Sequence, residues 1–466
     1  MNNIYIKTIS ADRFTPYVVF KKLNGIALLE SALLEQGKSR YSLILLEEAF
    51  RLLADQNGVT LEENNKKQTL STKPGELLKF LKEYGNKINL GSLPGDLPLP
   101  ARGIGYLGYE SARFFDEITI APQREIVNIP EGLFSFGSLF IIFDHYKDDL
   151  HVAAIAHHKE PTETLRQRTE AVIERLLDND FRAYQNDDKQ YNSKQIFATP
   201  KEEFTSGVKS VKEDITKGNL VQGVLSRVTV FESEIAPLEA YRRLRRENPS
   251  PYLFYLNFGG FILFGSSPEI MVQCKGKTTV LKPIAGTRPR GKTLSEDLTL
   301  EKELIADEKE RAEHLMLLDL GRNDLGRTAK PGSVKLASSF NIERYAHVMH
   351  IVSEIEAELD QNYDIYDLIK TTFPAGTVSG APKIKAIEII SELEKTRRGV
   401  YAGIVGYFDV NGNFDSCITI RSALYKEGKY YIQSGAGIVY DSDPEKEYIE
   451  TTNKARAMLR ALGVNS

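Results

Sequence analysis

The chain has 466 residues, 41% of them hydrophobic and 27% charged, and its 60 basic and 64 acidic side chains give a formal net charge of −4. That length exceeds the roughly 250 to 300 residues at which one core usually stops growing, so two subdomains or one large layered body are expected, with the composition of a globular protein. The charge balance argues against a general nucleic-acid surface, and only two cysteines, Cys274 and Cys417, exclude a disulfide framework or a thiolate zinc site.

The first fourteen residues lack the apolar core of an export signal, and no run approaches 18 apolar residues, so a soluble, cytoplasmic chain without membrane contact is expected. Strand-like apolar runs lie at 137–144 and 151–156. A helical pattern then ends at Asp178, and the polar stretch 181–200 reads as a linker. This divides an N-terminal domain, 1–190, from a second domain, 200–466. Beyond the linker, helical period marks 204–217, 298–320, 381–393 and 444 to the end, while 221–231, 252–264, 403–409, 415–424 and 430–439 read as strands. Turn signals at Asn411-Gly412-Asn413 and Lys426-Glu427-Gly428 join neighbouring strands so tightly that they must be antiparallel. Regular βαβ alternation is missing, so the expected fold is α+β, with large antiparallel sheets packed as a sandwich-like core and helices around them.

The candidate chemistry is acidic. Glu310 and Glu313 stand three apart on a helix, as do Glu447 and Glu450, with Lys454 one turn beyond. Such spacing puts each pair on one face, and two pairs meeting from different helices would form a hard-oxygen Mg²⁺ site; a solvated helix face is the alternative. His314 is expected to share the first face. None of the seven histidines has the spacing of a zinc-protease helix. Glycine-rich segments at 373–383 (FPAGTVSGAPK) and 433–439 (QSGAGIV) offer free backbone N–H groups or close backbone approach at Gly435 and Gly437, or else plain tight turns. Arg288, Arg290, Arg421 and Lys454 supply positive charge for an anionic small molecule. His350 lies in an apolar run, and Cys417 lacks an activating neighbour and reads as core.

Taken together and in this order, the blocks at 283–291 (PIAGTRPRG), 306–327 (ADEKERAEHLMLLDLGRNDLGR), 348–352 (VMHIV), 375–383 (AGTVSGAPK), 397–407 (RRGVYAGIVGY) and 433–454 resemble the chorismate-utilising enzymes. The resemblance is closest to the synthase subunits (component I) of the anthranilate synthases and strongest over 204–462. It implies a Mg²⁺-dependent reaction of chorismate with ammonia. Glu313 and Glu450 would hold the metal directly, and Glu310 and Glu447 would support its water shell. The ring carboxylate would lie against Gly435 and Gly437 with Lys454 nearby, and Arg421 and Tyr401 would take the enolpyruvyl carboxylate. Thr287 and Thr377 would line the pocket. Glu269, in Ser267-Pro268-Glu269, matches the general acid for the departing C4 hydroxyl, and His350 matches the position associated with pyruvate elimination. No organic cofactor is implied.

Related enzymes that add water carry a lysine base where this chain has Gln222, and an amide cannot deprotonate water at neutral pH, so ammonia is the expected nucleophile. Many aminodeoxychorismate synthases carry a nucleophilic lysine where this chain has Ala285, which favours the anthranilate branch. In the N-terminal half, Leu28-Leu29-Glu30-Ser31 resembles the LLES segment of the inhibitory tryptophan site, and Pro251, Tyr252 and Leu253 resemble its facing wall. Glu30 and Ser31 would supply an anion and a hydroxyl to the amino acid. The chain has no recognisable glutamine-hydrolysing segment, which implies a glutaminase partner of the class I amidotransferase type. The rivals are an aminodeoxychorismate synthase large subunit and a catalytically silent tryptophan-binding regulator.

Overall fold

The computed structural model describes residues 3–31, 40–90, 93, 97–178, 189–345 and 347–464. Among them, 22 strands join in one hydrogen-bonded network. As the short turns require, Ile404–Phe408 pairs antiparallel with Phe414–Ile418, and Ser422–Lys426 with Lys429–Ile438. Strands from before and after the polar stretch also pair with each other, through Glu30 opposite Leu253 and Leu107 opposite Ile404.

Strand alternation explains the layering. In Tyr41–Asp55, Leu43 and Leu45 enter one hydrophobic cluster while Ile44 enters another; in Gly132–Asp144, Phe140 and Ile142 face the first cluster, and Ile141 and Phe143 the second. Both faces are therefore buried, which needs near-continuous apolar strands. The first cluster lies between these strands and the helices Leu77–Asn86, Glu308–Gly326 and Ile365–Thr372. The second lies beneath the helices Pro16–Leu23, Thr162–Leu177, Pro237–Glu247 and Pro444–Ala461, which cover the sheet. Among the described residues, no helix is long and apolar enough to cross a membrane.

Several boundaries depart from the sequence expectations. Within 181–200, residues 181–188 lie outside the described residues, but Ser193–Ala198 is a strand on the edge of Gln222–Ser233. The stretch 252–264 is two strands, Tyr252–Asn257 and Ile262–Ser267, folded back at Gly259 and Gly260. The helical pattern over 298–320 is two helices, Leu294–Ala306 and Glu308–Gly326, separated where Asp307 takes an extended conformation and caps the second. The stretch 415–424 breaks at Arg421, whose φ of 51° is left-handed. The helix expected from 381 begins at Lys383, because Gly380–Ala381 is drawn into a short pairing with Gln222 and Gly223.

Candidate functional site

Two capped helices bring the acidic residues to the end of a strand pair. Asp307 accepts hydrogen bonds from the Lys309 and Glu310 N–H groups at 3.0 and 3.1 Å, and Asp443 accepts from Glu445 and Lys446 at 3.0 Å each. These caps satisfy otherwise orphaned donors and place Glu310, Glu313, Glu447 and Glu450 in the first two turns. Between the helices run Gln222–Ser233 and Lys429–Ile438, registered with Val224 opposite Gly437 and Ser226 opposite Gly435. The 433–439 segment is therefore mostly strand and not a turn.

The carboxylates are close enough to disturb one another. Burial raises the Glu313 pKa, and the charges of Glu310 and Glu450 raise it further, against a hydrogen bond from Gln222 and the charge of Lys454. Burial likewise raises Glu447, opposed by a hydrogen bond from Ser442 and helped by Glu450. All four carboxylates are engaged locally, Glu447 by Ser442. Gln222 Nε2 donates to Glu313 at 2.8 Å, Arg288 meets Glu310 at 3.1 Å, and Lys454 meets Glu450 at 2.7 Å while also donating to the Gly435 carbonyl at 3.0 Å. Among the described residues, no three His, Cys, Asp or Glu side chains converge as they stand into a set that could hold a metal. Hard oxygen donors with surplus negative charge nevertheless match what a divalent cation needs.

Both glycines leave space that neighbouring side chains use. A Cβ at Gly435 would lie 2.7 Å from the Tyr401 hydroxyl, and one at Gly437 would lie 2.6 Å from Gln222 Nε2. Tyr401 is buried, with its pKa pushed up to about 12 by that burial, and Arg398 lies over its ring. Fully buried Arg398 donates to the Val378 and Val224 carbonyls and pairs with Glu394 at 2.7 Å, tying the 375–383 segment to the strands.

Glu269 is 7% exposed, and burial raises its pKa to about 8 despite Thr377, Lys454 and Arg421, which all pull it down. Those influences place Thr377 and both cations within electrostatic reach of its carboxyl. Burial in turn depresses the Arg421 pKa. His350 Nδ1 lies 2.9 Å from the Gly286 carbonyl and 3.1 Å from the Thr287 hydroxyl. The carbonyl can only accept, so Nδ1 carries the proton and Nε2 keeps its lone pair. Burial lowers the His350 pKa to about 4, leaving it neutral at pH 7.

Other expected participants are held by protein partners. Arg288 pairs with Asp307 and Glu310, and Arg290 with Asp297 and the Tyr345 carbonyl. His314 stands one turn from Glu310, but it is fully buried, packed against Phe340 and hydrogen-bonded to Ser353 at 2.6 Å instead of joining the carboxylates. Cys417 is core, as expected.

A second cavity of about 670 Å³ is lined by Glu30, Ser31, Pro251, Tyr252 and Leu253, together with Tyr345, Gln273 and Asp415. The Glu30 carboxylate is already engaged: Tyr241 donates to it at 2.7 Å and Arg245 at 2.9 Å. Asp415 instead offers a half-buried carboxylate, accepting from Tyr252 and Gln273 at 2.8 Å each, with a pKa raised by desolvation. Sequence reading missed Asp415, although it follows the Asn411-Gly412-Asn413 turn on a strand.

The chorismate binding enzyme family model matches residues 30–460. Anthranilate synthase component 1 of Spirochaeta aurantia is 44% identical over 463 residues, covering 98% of this chain and 95% of that protein. The Acetivibrio thermocellus protein of the same name is 40% identical over 466 residues, covering 97% and 93%. The crystal structure of anthranilate synthase component I from Streptococcus pneumoniae TIGR4 superposes with a TM-score of 0.80 at 32% identity, covering 97% of this chain and 98% of that one.

Proposed function

The chain belongs to the chorismate binding enzyme family, and from that premise we propose that it is the synthase subunit of an anthranilate synthase. It would convert chorismate and ammonia to anthranilate, pyruvate and water. The observation that carries the reading is Glu269, a carboxyl kept protonated at neutral pH by burial within reach of two cations, Arg421 and Lys454. Hydroxide is a poor leaving group, so the C4 hydroxyl must receive a proton as it departs, and a positioned acid contributes about 10² to 10⁴ in rate. Ammonia adds at C2 as Glu269 gives its proton to that hydroxyl, producing 2-amino-2-deoxyisochorismate and water. Loss of the C2 proton and of pyruvate then yields the aromatic ring, and neutral His350 has the free Nε2 that a proton acceptor needs.

Arg421 and Tyr401 would hold the enolpyruvyl carboxylate, with Lys454, Gly435 and Gly437 at the ring carboxylate and Thr287 and Thr377 at the pocket wall. Glu313 and Glu450 would hold Mg²⁺ directly, and Glu310 and Glu447 through water. Bound there, the ion supplies electrostatic orientation of the substrate and offsets carboxylate repulsion. Ammonia would come from a class I glutaminase subunit, with free ammonia as a substitute in vitro. The 670 Å³ cavity would bind tryptophan as a feedback inhibitor. The test is incubation of the pure chain with chorismate, Mg²⁺ and ammonium: fluorescent anthranilate with equimolar pyruvate is expected. A product that becomes aromatic only after a separate lyase is added would overturn the assignment in favour of aminodeoxychorismate synthesis.

A further inference from the structure

The two pockets share a wall one residue thick. Pro268 and Ile270 line the 670 Å³ cavity, while Glu269 between them is the buried acid. Ile284 and Val352 also line the cavity and pair across strands, one short step from Thr287 and His350. Ile270 and Lys282 line both this cavity and the smaller one beside Glu269 and Thr377, and the contact with His350 is made by Tyr345. Its residue lines the cavity, and its ring meets the His350 imidazole at 5.4 Å between centroids and 65° between planes. The ring is anchored at its far end by a hydroxyl that donates to Glu343 at 2.9 Å, and the backbone is fixed by Arg290 on the Tyr345 carbonyl at 2.8 Å. His350 is held by the Gly286 carbonyl on Nδ1 and by this aromatic contact on its ring. An edge-to-face pair of this kind is directional. A shift of the Tyr345 ring therefore turns the imidazole about its Nδ1 anchor and re-aims Nε2.

We infer that Tyr345 is a positioning residue through which occupancy of the cavity reaches the chorismate pocket, by fixing or displacing the ring that orients His350. The inference rests on the reading of the cavity as a tryptophan site and of His350 as part of the reacting pocket. Coupling between two ligands is reciprocal, so tryptophan affinity must report chorismate occupancy as strongly as the reverse.

The experiment titrates L-tryptophan calorimetrically into the full chain, with and without saturating chorismate and Mg²⁺ and with ammonia omitted, for the native chain, Tyr345→Leu and Tyr345→Phe. Native protein is expected to show at least a tenfold change in tryptophan affinity on adding chorismate. Tyr345→Leu should reduce that change below threefold while its tryptophan affinity alone stays within fivefold of native, and Tyr345→Phe, which keeps the ring, should restore it. In turnover with ammonia, Tyr345→Leu should lower kcat at least tenfold with KM for chorismate within threefold, again rescued by Phe. Coupling in Tyr345→Leu within twofold of native would overturn the inference. So would complete loss of tryptophan binding in a variant whose melting temperature is unchanged, since the ring would then be a ligand contact. Should Tyr345→Leu not fold, Tyr345→Met takes its place under the same criteria. Failure of the native chain to bind tryptophan would instead refute the reading of the cavity itself, and with it the inference.

Discussion

Replacing Glu269 by Gln removes the proton donor while keeping the shape of the side chain, and the size of the effect follows from its surroundings. An ordinary glutamate with a pKa of 4.5 is protonated to only about 0.3% at pH 7, whereas one raised to about 8 is protonated to about 90%. Burial thus multiplies the available acid about 300-fold. The donor form falls to about half at pH 8 and about 10% at pH 9. Because the acid form is the active one, the rate at a fixed concentration of unprotonated ammonia should fall as pH rises through about 8. Glu269→Gln should lower kcat by about 10² to 10⁴, or roughly 3 to 5 kcal/mol in the barrier, with KM for chorismate little changed. Anthranilate fluorescence and pyruvate release, measured from pH 6 to 10 with total ammonium adjusted to hold ammonia constant, provide the assay. A variant within threefold of native, or an alkaline limb that survives unchanged in Glu269→Gln, would refute the argument.

Glu313→Gln and Glu450→Gln should each lower activity at least a hundredfold and raise the Mg²⁺ concentration giving half-maximal rate, whereas Glu310→Gln, whose native carboxylate is shared with Arg288, should cost less; Mg²⁺ titrations from an EDTA-treated sample check this order. Arg398→Met leaves Glu394 buried without its cation and frees the Val378 and Val224 carbonyls, so denaturant unfolding should show a loss of about 3 to 5 kcal/mol. Gly435→Ala places a methyl 2.7 Å from the Tyr401 hydroxyl and 2.9 Å from the Leu225 carbonyl, and should destabilise by about 1 to 3 kcal/mol while raising KM for chorismate. Ser31→Ala should weaken tryptophan about tenfold in calorimetry and leave uninhibited turnover intact.

What was legible in the sequence is what local spacing encodes. Glutamates three apart fall on one face of a helix wherever the helix sits, and tight Asn-Gly turns impose antiparallel pairing, so the acidic pairs and the sheet class could both be read. The break between the two helices was equally local: Asp307 and Glu310 have the spacing of a capping signal, and the longer apolar period masked it. His314 has the right spacing from Glu310, and what takes it from the acidic face is packing against Phe340 and Ser353, which local spacing does not encode. Glu30 is a different kind of case. Its partners Tyr241 and Arg245 lie more than 200 residues away, so nothing around LLES indicates that its carboxylate is already engaged.

The same distinction separates the presence of a functional group from its reactivity. The segment Ser267-Pro268-Glu269 supplies a carboxyl, but its proton is retained because the surrounding sheet and loop exclude water more strongly than Thr377, Lys454 and Arg421 stabilise the anion. His350 is the converse: removed from water, its imidazole stays neutral, and a backbone carbonyl chooses which nitrogen keeps its proton. An acid kept protonated and a base kept unprotonated at the same pH are what elimination chemistry requires, and burial displaces the two in opposite directions, the carboxyl up and the imidazole down. Exposing either wall of this pocket to water would therefore degrade both roles at once. That is a reason for the thin partition at Pro268, Ile270 and Tyr345 to be an effective place for a ligand in the neighbouring cavity to act.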